Sequence, residues 1–281
     1  MSDNPLKRLY RHKSYYTQLP SGGRFYNKIK LSVDGEIGVM PLTAADEIKL
    51  KSPDALFNGE ALVDLFRSCV PDIGDPENIP TCDIDPLLIA IRAASTESGE
   101  IEISSQCTNC NETESYQIDL KNILATVKPI PKDTSVTLAD GVSVEVRPSP
   151  LSTTTKTQVE AFFQYRMQQA LNNDDLDNEA KAKIFDEALM SSISLQIAQV
   201  ADSIVSVTLP AEDDDTDNIL VDNYEHISDW ARNMDRETHK IITDKIKELN
   251  RSGIDSEVAV QCPHCEHNYK TKIELNPANF F

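Results

Sequence analysis

Short runs of alternating apolar and polar residues interrupt a chain that otherwise follows the helical period. Residues 15–40 are patterned as β. Leu19-Pro20-Ser21-Gly22-Gly23 reads as a turn, Arg24-Phe25-Tyr26 as the start of a strand, and Asp34-Gly35 as a second turn before Ile37, Val39 and a stop at Pro41. Thr43 then caps a helix over 44–51, with Asp46 in its first turn. Leu62, Leu65, Phe66 and Cys69 share one face of a helix that begins near Gly59. A Pro- and Asp-rich loop covers 71–83, and Asp85-Pro86 opens an apolar helix over 87–94, with proline in its first position. Further along, 135–146 reads as a hairpin about Asp140-Gly141, 153–171 and 178–200 as a long helical region, 204–209 as a strand, and 222–249 as helices ended by Gly253. The pattern predicts an α+β fold, rich in helix, with sheet confined to hairpins and to two cysteine-bearing β units.

Those β units are the strongest feature of the chain, because it states them twice. Gln106-Cys107-Thr108-Asn109-Cys110 matches Gln261-Cys262-Pro263-His264-Cys265, 155 residues on. Ile101-Glu102-Ile103 and Glu257-Val258-Ala259-Val260 precede the pairs, and Ile118-Asp119-Leu120 and Ile273-Glu274-Leu275 follow in the same register. Each copy reads as strand, Cys-x-x-Cys turn, strand, which is half of a zinc ribbon. A structural zinc takes four ligands in a tetrahedron and keeps no open position. One hairpin offers two, so the pair suggests one site formed by Cys107, Cys110, Cys262 and Cys265. Other readings stay open: a site that has lost its metal, local or crossed disulfides, or a redox pair. A redox Cys-x-x-Cys normally opens a helix, and neither pair here precedes a helical pattern. His264 and His267 stand close enough to replace a cysteine as ligand; the simpler reading makes them exposed turn residues. Zinc knuckles favour glycine after the second cysteine, whereas this chain has Asn111 and Glu266, of which Asn tolerates a left-handed conformation better. Cys69 and Cys82 lack metal spacing and read as small buried apolar residues.

Charge narrows the partners. A formal net charge of −19 over 281 residues opposes binding to a phosphate backbone and favours a basic protein partner. No run of about 18 apolar residues marks a membrane span, and the polar, basic start carries no signal peptide. Cytosolic synthesis is expected, and there thiols stay reduced. Lys7, Arg8, Arg11 and Lys13 form a basic arm that reads as a frayed, solvated terminus rather than one seeking an acidic neighbour. No phosphate loop, nucleophile elbow or His-Glu-x-x-His motif is present, so no enzyme class has positive support. The acidic run Glu212-Asp213-Asp214-Asp215 lacks the glycine and terminal glutamate of an EF-hand and reads as a solvated loop. His226 and His239 are not at ligand spacing.

The early Leu19–Gly23 turn before a β segment, the helix end Ile91-Arg92-Ala93-Ala94-Ser95, the two cysteine hairpins with their trailing Ile-Asp/Glu-Leu, and the terminal Phe280-Phe281 together carry a likeness. In this order, across 15–281, the chain resembles the T4-type baseplate proteins of contractile-tailed bacteriophages, the group around the baseplate hub and its assembly factors. The resemblance implies a non-enzymatic part of the virion tail baseplate that contacts other baseplate or hub proteins and has no small-molecule substrate. Family members either remain in the particle or act only in assembly, and both fates stay open. The alternative is a zinc-ribbon protein of the transcription or repair type, yet no Lys or Arg lies between Glu100 and Leu120, and the second hairpin, with Lys270 and Lys272, is only mildly basic. The pattern divides the chain into a basic arm (1–14), a segment with the first cysteine hairpin (15–130) and one with the second (131–281). The two terminal phenylalanines are expected to pack apolarly, on this chain near the ribbon or on a neighbouring subunit.

Overall fold

A computed structural model describes residues 4–51, 59–171, 178–211, 217–273, 275 and 280; the acidic run 212–215 and Phe281 lie outside them. After a 3-10 turn at Pro5–Leu9, β1 (Tyr15–Gln18) pairs antiparallel with β2 (Glu36–Val39). No strand starts at Arg24. Gly22, Gly23 and Phe25 all take positive φ (64°, 80° and 72°), which curls the segment into consecutive turns. The end of the basic arm is also not a free, solvated segment: Arg11 and Lys13 are held by the fold. The Arg11 guanidinium donates to Asp46, to the Pro41 carbonyl and to the Ser68 carbonyl, and Lys13 pairs with Asp72. Asp46 in turn closes a capping box with Thr43 at the start of α1 (Ala44–Leu50).

Helix α2 (Glu60–Cys69) buries Ala61, Leu65, Phe66 and Cys69 on one face. Helix α3 (Thr81–Ser95) begins at Thr81, before the expected Asp85-Pro86, so Pro86 is an interior residue. Tertiary contacts make the earlier start possible. The Asp83 amide bonds the Pro80 carbonyl, tightening the first turn, and the Asp83 carboxylate, fully buried, accepts from the Ser21 amide at 2.8 Å, the Ser21 hydroxyl and the Tyr26 hydroxyl. These bonds compensate a buried acid that sequence reasoning assigned to a loop. Beyond it Leu87, Leu88, Ile89, Ala90 and Ile91 are all buried, an apolar surround that makes α3 the axis of the first core.

The first cysteine hairpin is β3 (Glu100–Gln106) with β4 (Thr113–Asp119), followed by α4 (Leu120–Leu124). Next come β5 (Ser135–Thr137) and β6 (Ser143–Val146), then the antiparallel helices α5 (Leu151–Leu171) and α6 (Asn178–Asp202). Strands β7 (Ile204–Leu209) and β8 (Ile219–Val221) extend the β5–β6 hairpin into a four-stranded antiparallel sheet, so sheet is not confined to hairpins. Helices α7 (Tyr224–Asn233) and α8 (Arg236–Asn250) pack beside it, and β9 (Glu257–Gln261) with β10 (Asn268–Lys272) forms the second cysteine hairpin. Among the described residues no helix is long and apolar enough to cross a membrane.

Two cores result. The sheet, the end of α6, α7 and α8 surround one, with Val144, Val146, Ile227 and Ile242. The other holds β1–β2, α2, α3 and both cysteine hairpins, with Val260, Cys262 and Ile273 from the last segment. Phe280, the described residue of the terminal pair, is buried in this core too. What returns the second hairpin is a backbone bridge. Lys128 and Gly253 bond each other in both directions (2.8 and 3.2 Å), and the Asp255 amide donates to Thr126. Gly253 has φ +129°, and a Cβ there would lie 3.0 Å from the Cys82 carbonyl oxygen, a group that Pro86 has no N–H to bond.

Gly253→Ala is therefore expected to lower stability by roughly 2 kcal/mol in urea denaturation, through backbone strain and contact with Cys82. Phe280→Ala should cost about 3 kcal/mol, the order found for buried aromatic truncations; a variant that denatures at the parent's midpoint would refute the burial of Phe280.

A candidate four-cysteine metal centre

Each Cys-x-x-Cys turn is built by the same local bonds. The Cys107 amide donates to the Glu112 carbonyl (2.8 Å) and the Asn111 amide to the Cys107 carbonyl (3.0 Å). In the second hairpin Cys262 donates to His267 (3.0 Å) and Glu266 to Cys262 (2.9 Å). The Gln106 and Gln261 side chains donate to the Asn111 and Glu266 carbonyls at 3.0 and 3.2 Å. Both residues after the second cysteine adopt the left-handed conformation that a knuckle requires, Asn111 at φ 62° and Glu266 at φ 57°. The chain thus keeps the geometry without the glycine, at the expense of strain at Glu266.

The hairpins meet knuckle to knuckle. Cys107 Sγ lies 3.7 Å from Cys265 Sγ and Cys110 Sγ 3.6 Å from Cys262 Sγ, and all four sulfurs lie within 4.8 Å of one another. All four are free thiols, at separations well beyond the roughly 2.0 Å of a disulfide. Cys107 and Cys262 are buried, while Cys110 and Cys265 are partly exposed. Hydrogen bonds from Asn109 and the His267 amide pull the Cys265 thiol down to about 6. At Cys110 a bond from the Glu112 backbone works downward, but burial and the other three thiols outweigh it and push the group up to about 12. Four sulfurs so close cannot all ionise unless a cation offsets their charge. Among the described residues no other cluster of His, Cys, Asp and Glu has this arrangement.

Neither histidine joins the sulfurs. His264 Nε2 pairs across the junction with Glu114 at 2.6 Å, and His267 stacks on Tyr269 with centroids 6.4 Å apart. Tyr269 also meets Tyr116 edge to face, with hydroxyl oxygens 3.3 Å apart, locking one hairpin against the other. The tyrosine contact carries no signature in the sequence. The glutamine bonds do have one, because a glutamine precedes the first cysteine in both copies. Cys69 and Cys82 are buried and stand outside this group; burial pushes the Cys69 thiol up to about 11 and the Cys82 thiol up as well.

The family model described as T4 bacteriophage base plate protein matches residues 13–281. No curated protein matches the chain, and no solved structure does.

The left-handed turn residues give a test of the knuckle geometry. Glu266→Gly should raise stability by about 0.5–1 kcal/mol by relieving strain, and Glu266→Val should lower it; thermal melts in which glycine is the worse of the two would contradict the geometry.

Proposed function

Because the chain belongs to the T4 bacteriophage base plate protein family, which covers residues 13–281, we propose that it serves as a non-enzymatic structural or assembly part of the central hub region of the tail baseplate, stapled by one structural zinc ion. The family makes it a baseplate component that assembles with other tail proteins. The observation carrying the zinc reading is the convergence of four sulfurs from two hairpins far apart in the chain. Zinc–thiolate bonds of about 2.3 Å in a tetrahedron place sulfurs about 3.8 Å apart. The two contacts between hairpins, 3.6 and 3.7 Å, sit close to that value. Cys107, Cys110, Cys262 and Cys265 would complete the shell, leaving no position for a substrate or an activated water. Such a metal contributes stability, since its binding free energy is folding free energy.

A transcription-type zinc ribbon loses support at the same place. The first hairpin is acidic, and Lys270 of the second pairs with Glu257 at 3.2 Å. This surface offers little to a phosphate backbone.

Purified protein should contain one zinc per chain by elemental analysis. Cys107→Ser or Cys262→Ser should each abolish it, and chelation should lower the melting temperature on the order of 10 °C. Metal-free protein of unchanged stability would end the zinc reading and leave the baseplate role standing. Mass spectrometry of purified virions tests the role itself. Detection of the chain marks a resident subunit, and detection only in infected-cell extract marks an assembly factor.

A further inference from the structure

Between one face of the four-stranded sheet and helix α7 lies an open groove of about 520 Å³, a size common among binding pockets. Its apolar wall comprises Val142, Val207, Leu209, Val221, Trp230 and Met234, and its acidic lining is Asp140 and Asp235. The sheet ends at β8, which pairs with β7 alone among the described strands. Leu209 stands opposite Ile219 and Val207 opposite Val221, so Ile219 extends the groove's face toward the sheet edge. Ile219 is 58 % exposed and Leu220, on the other face, 62 %. An apolar edge strand with unpaired backbone groups invites another strand. Added there, a new strand would bond its main chain to β8 and aim alternate side chains over the groove.

Charge selects the occupant. Asp217 and Asp222 flank β8, exposed like Asp140 and Asp235, in a chain of net charge −19. A second copy would bring acid against acid, and nucleic acid would be repelled. Helix α6 also exposes apolar residues (Phe185, Leu189, Met190 and Ile193), but among the described residues nothing selects a partner for them.

We propose that β8 and the adjoining groove dock an extended segment of another baseplate protein, apolar at alternate positions and flanked by Lys or Arg. This deepens the assembly role proposed above and rests on it for the partner's class. The chain has a single tryptophan, Trp230, and it lines the groove, so its fluorescence reports directly on occupancy.

A displayed library of random twelve-residue peptides, selected against the full chain, is expected to enrich alternating apolar sequences with basic ends. The enriched peptides should shift Trp230 emission to the blue in a saturable way. Ile219→Arg, at an exposed position, should weaken their binding at least tenfold without changing the melting temperature, and Asp140→Lys should weaken it as well. Failure to enrich any peptide, enrichment without basic ends, or binding indifferent to Ile219→Arg would overturn the proposal. So would a concentration-dependent dimer, seen by sedimentation and abolished by Ile219→Arg, which would assign the face to a second copy. None of these readouts depends on zinc content or virion location, so a failure here leaves those results intact.

Discussion

Lys128 and Gly253 exchange backbone hydrogen bonds, fixing the stretch that leaves the first cysteine hairpin beside the one that enters the second. Beyond this bridge the hairpins meet at their knuckles, and four sulfurs from turns 155 residues apart lie within 4.8 Å of one another. Only glycine suits the point of closest approach, because φ is positive there and the Cys82 carbonyl stands where a side chain would begin. The Tyr116–Tyr269 contact and the His264–Glu114 pair then hold the junction from its flanks.

The segment between the two legs of this closure builds most of a second core, and backbone hydrogen bonds cross the seam between the two. Ile130 donates to the Pro20 carbonyl and Thr81 to the Ser149 carbonyl. The first turn of α3 lies on that seam. Cys82 belongs to the sheet's core, while neighbouring Asp83 faces the Leu19–Gly23 turn and takes both bonds from Ser21. Burial pushes the Asp83 carboxyl up in pKa, and the Ser21 and Tyr26 hydrogen bonds oppose that push. The turn that helped mark the family resemblance is thus the one whose Ser21, by amide and hydroxyl, bonds a buried acid.

Much of the molecule was legible as sequence because it is settled within a few residues. The Thr43–Asp46 capping box, the face of α2, the Asp140-Gly141 hairpin and the two cysteine turns each depend on neighbours close in the chain. The equivalence of the cysteine units was legible as well, since matched flanks on matched turns make matched hairpins. Asn111 and Glu266 show how far such reading reaches: the position was recognisable as one that wants a left-handed residue, and the backbone takes that conformation despite the side chains present.

Tertiary structure decided the rest. Arg11 and Lys13 looked like a solvated arm until Asp46, Ser68 and Asp72 were brought to them by folding. Helix α3 starts at Thr81 because a buried carboxylate there finds donors from a turn some sixty residues earlier. β8 joins the sheet because β7 offers it an edge, a pairing too short to leave a periodic signal. Local sequence fixes how each cysteine turn is shaped; where the two turns meet is set by a glycine and a lysine backbone outside both, and long-range closure of that kind has no period to read.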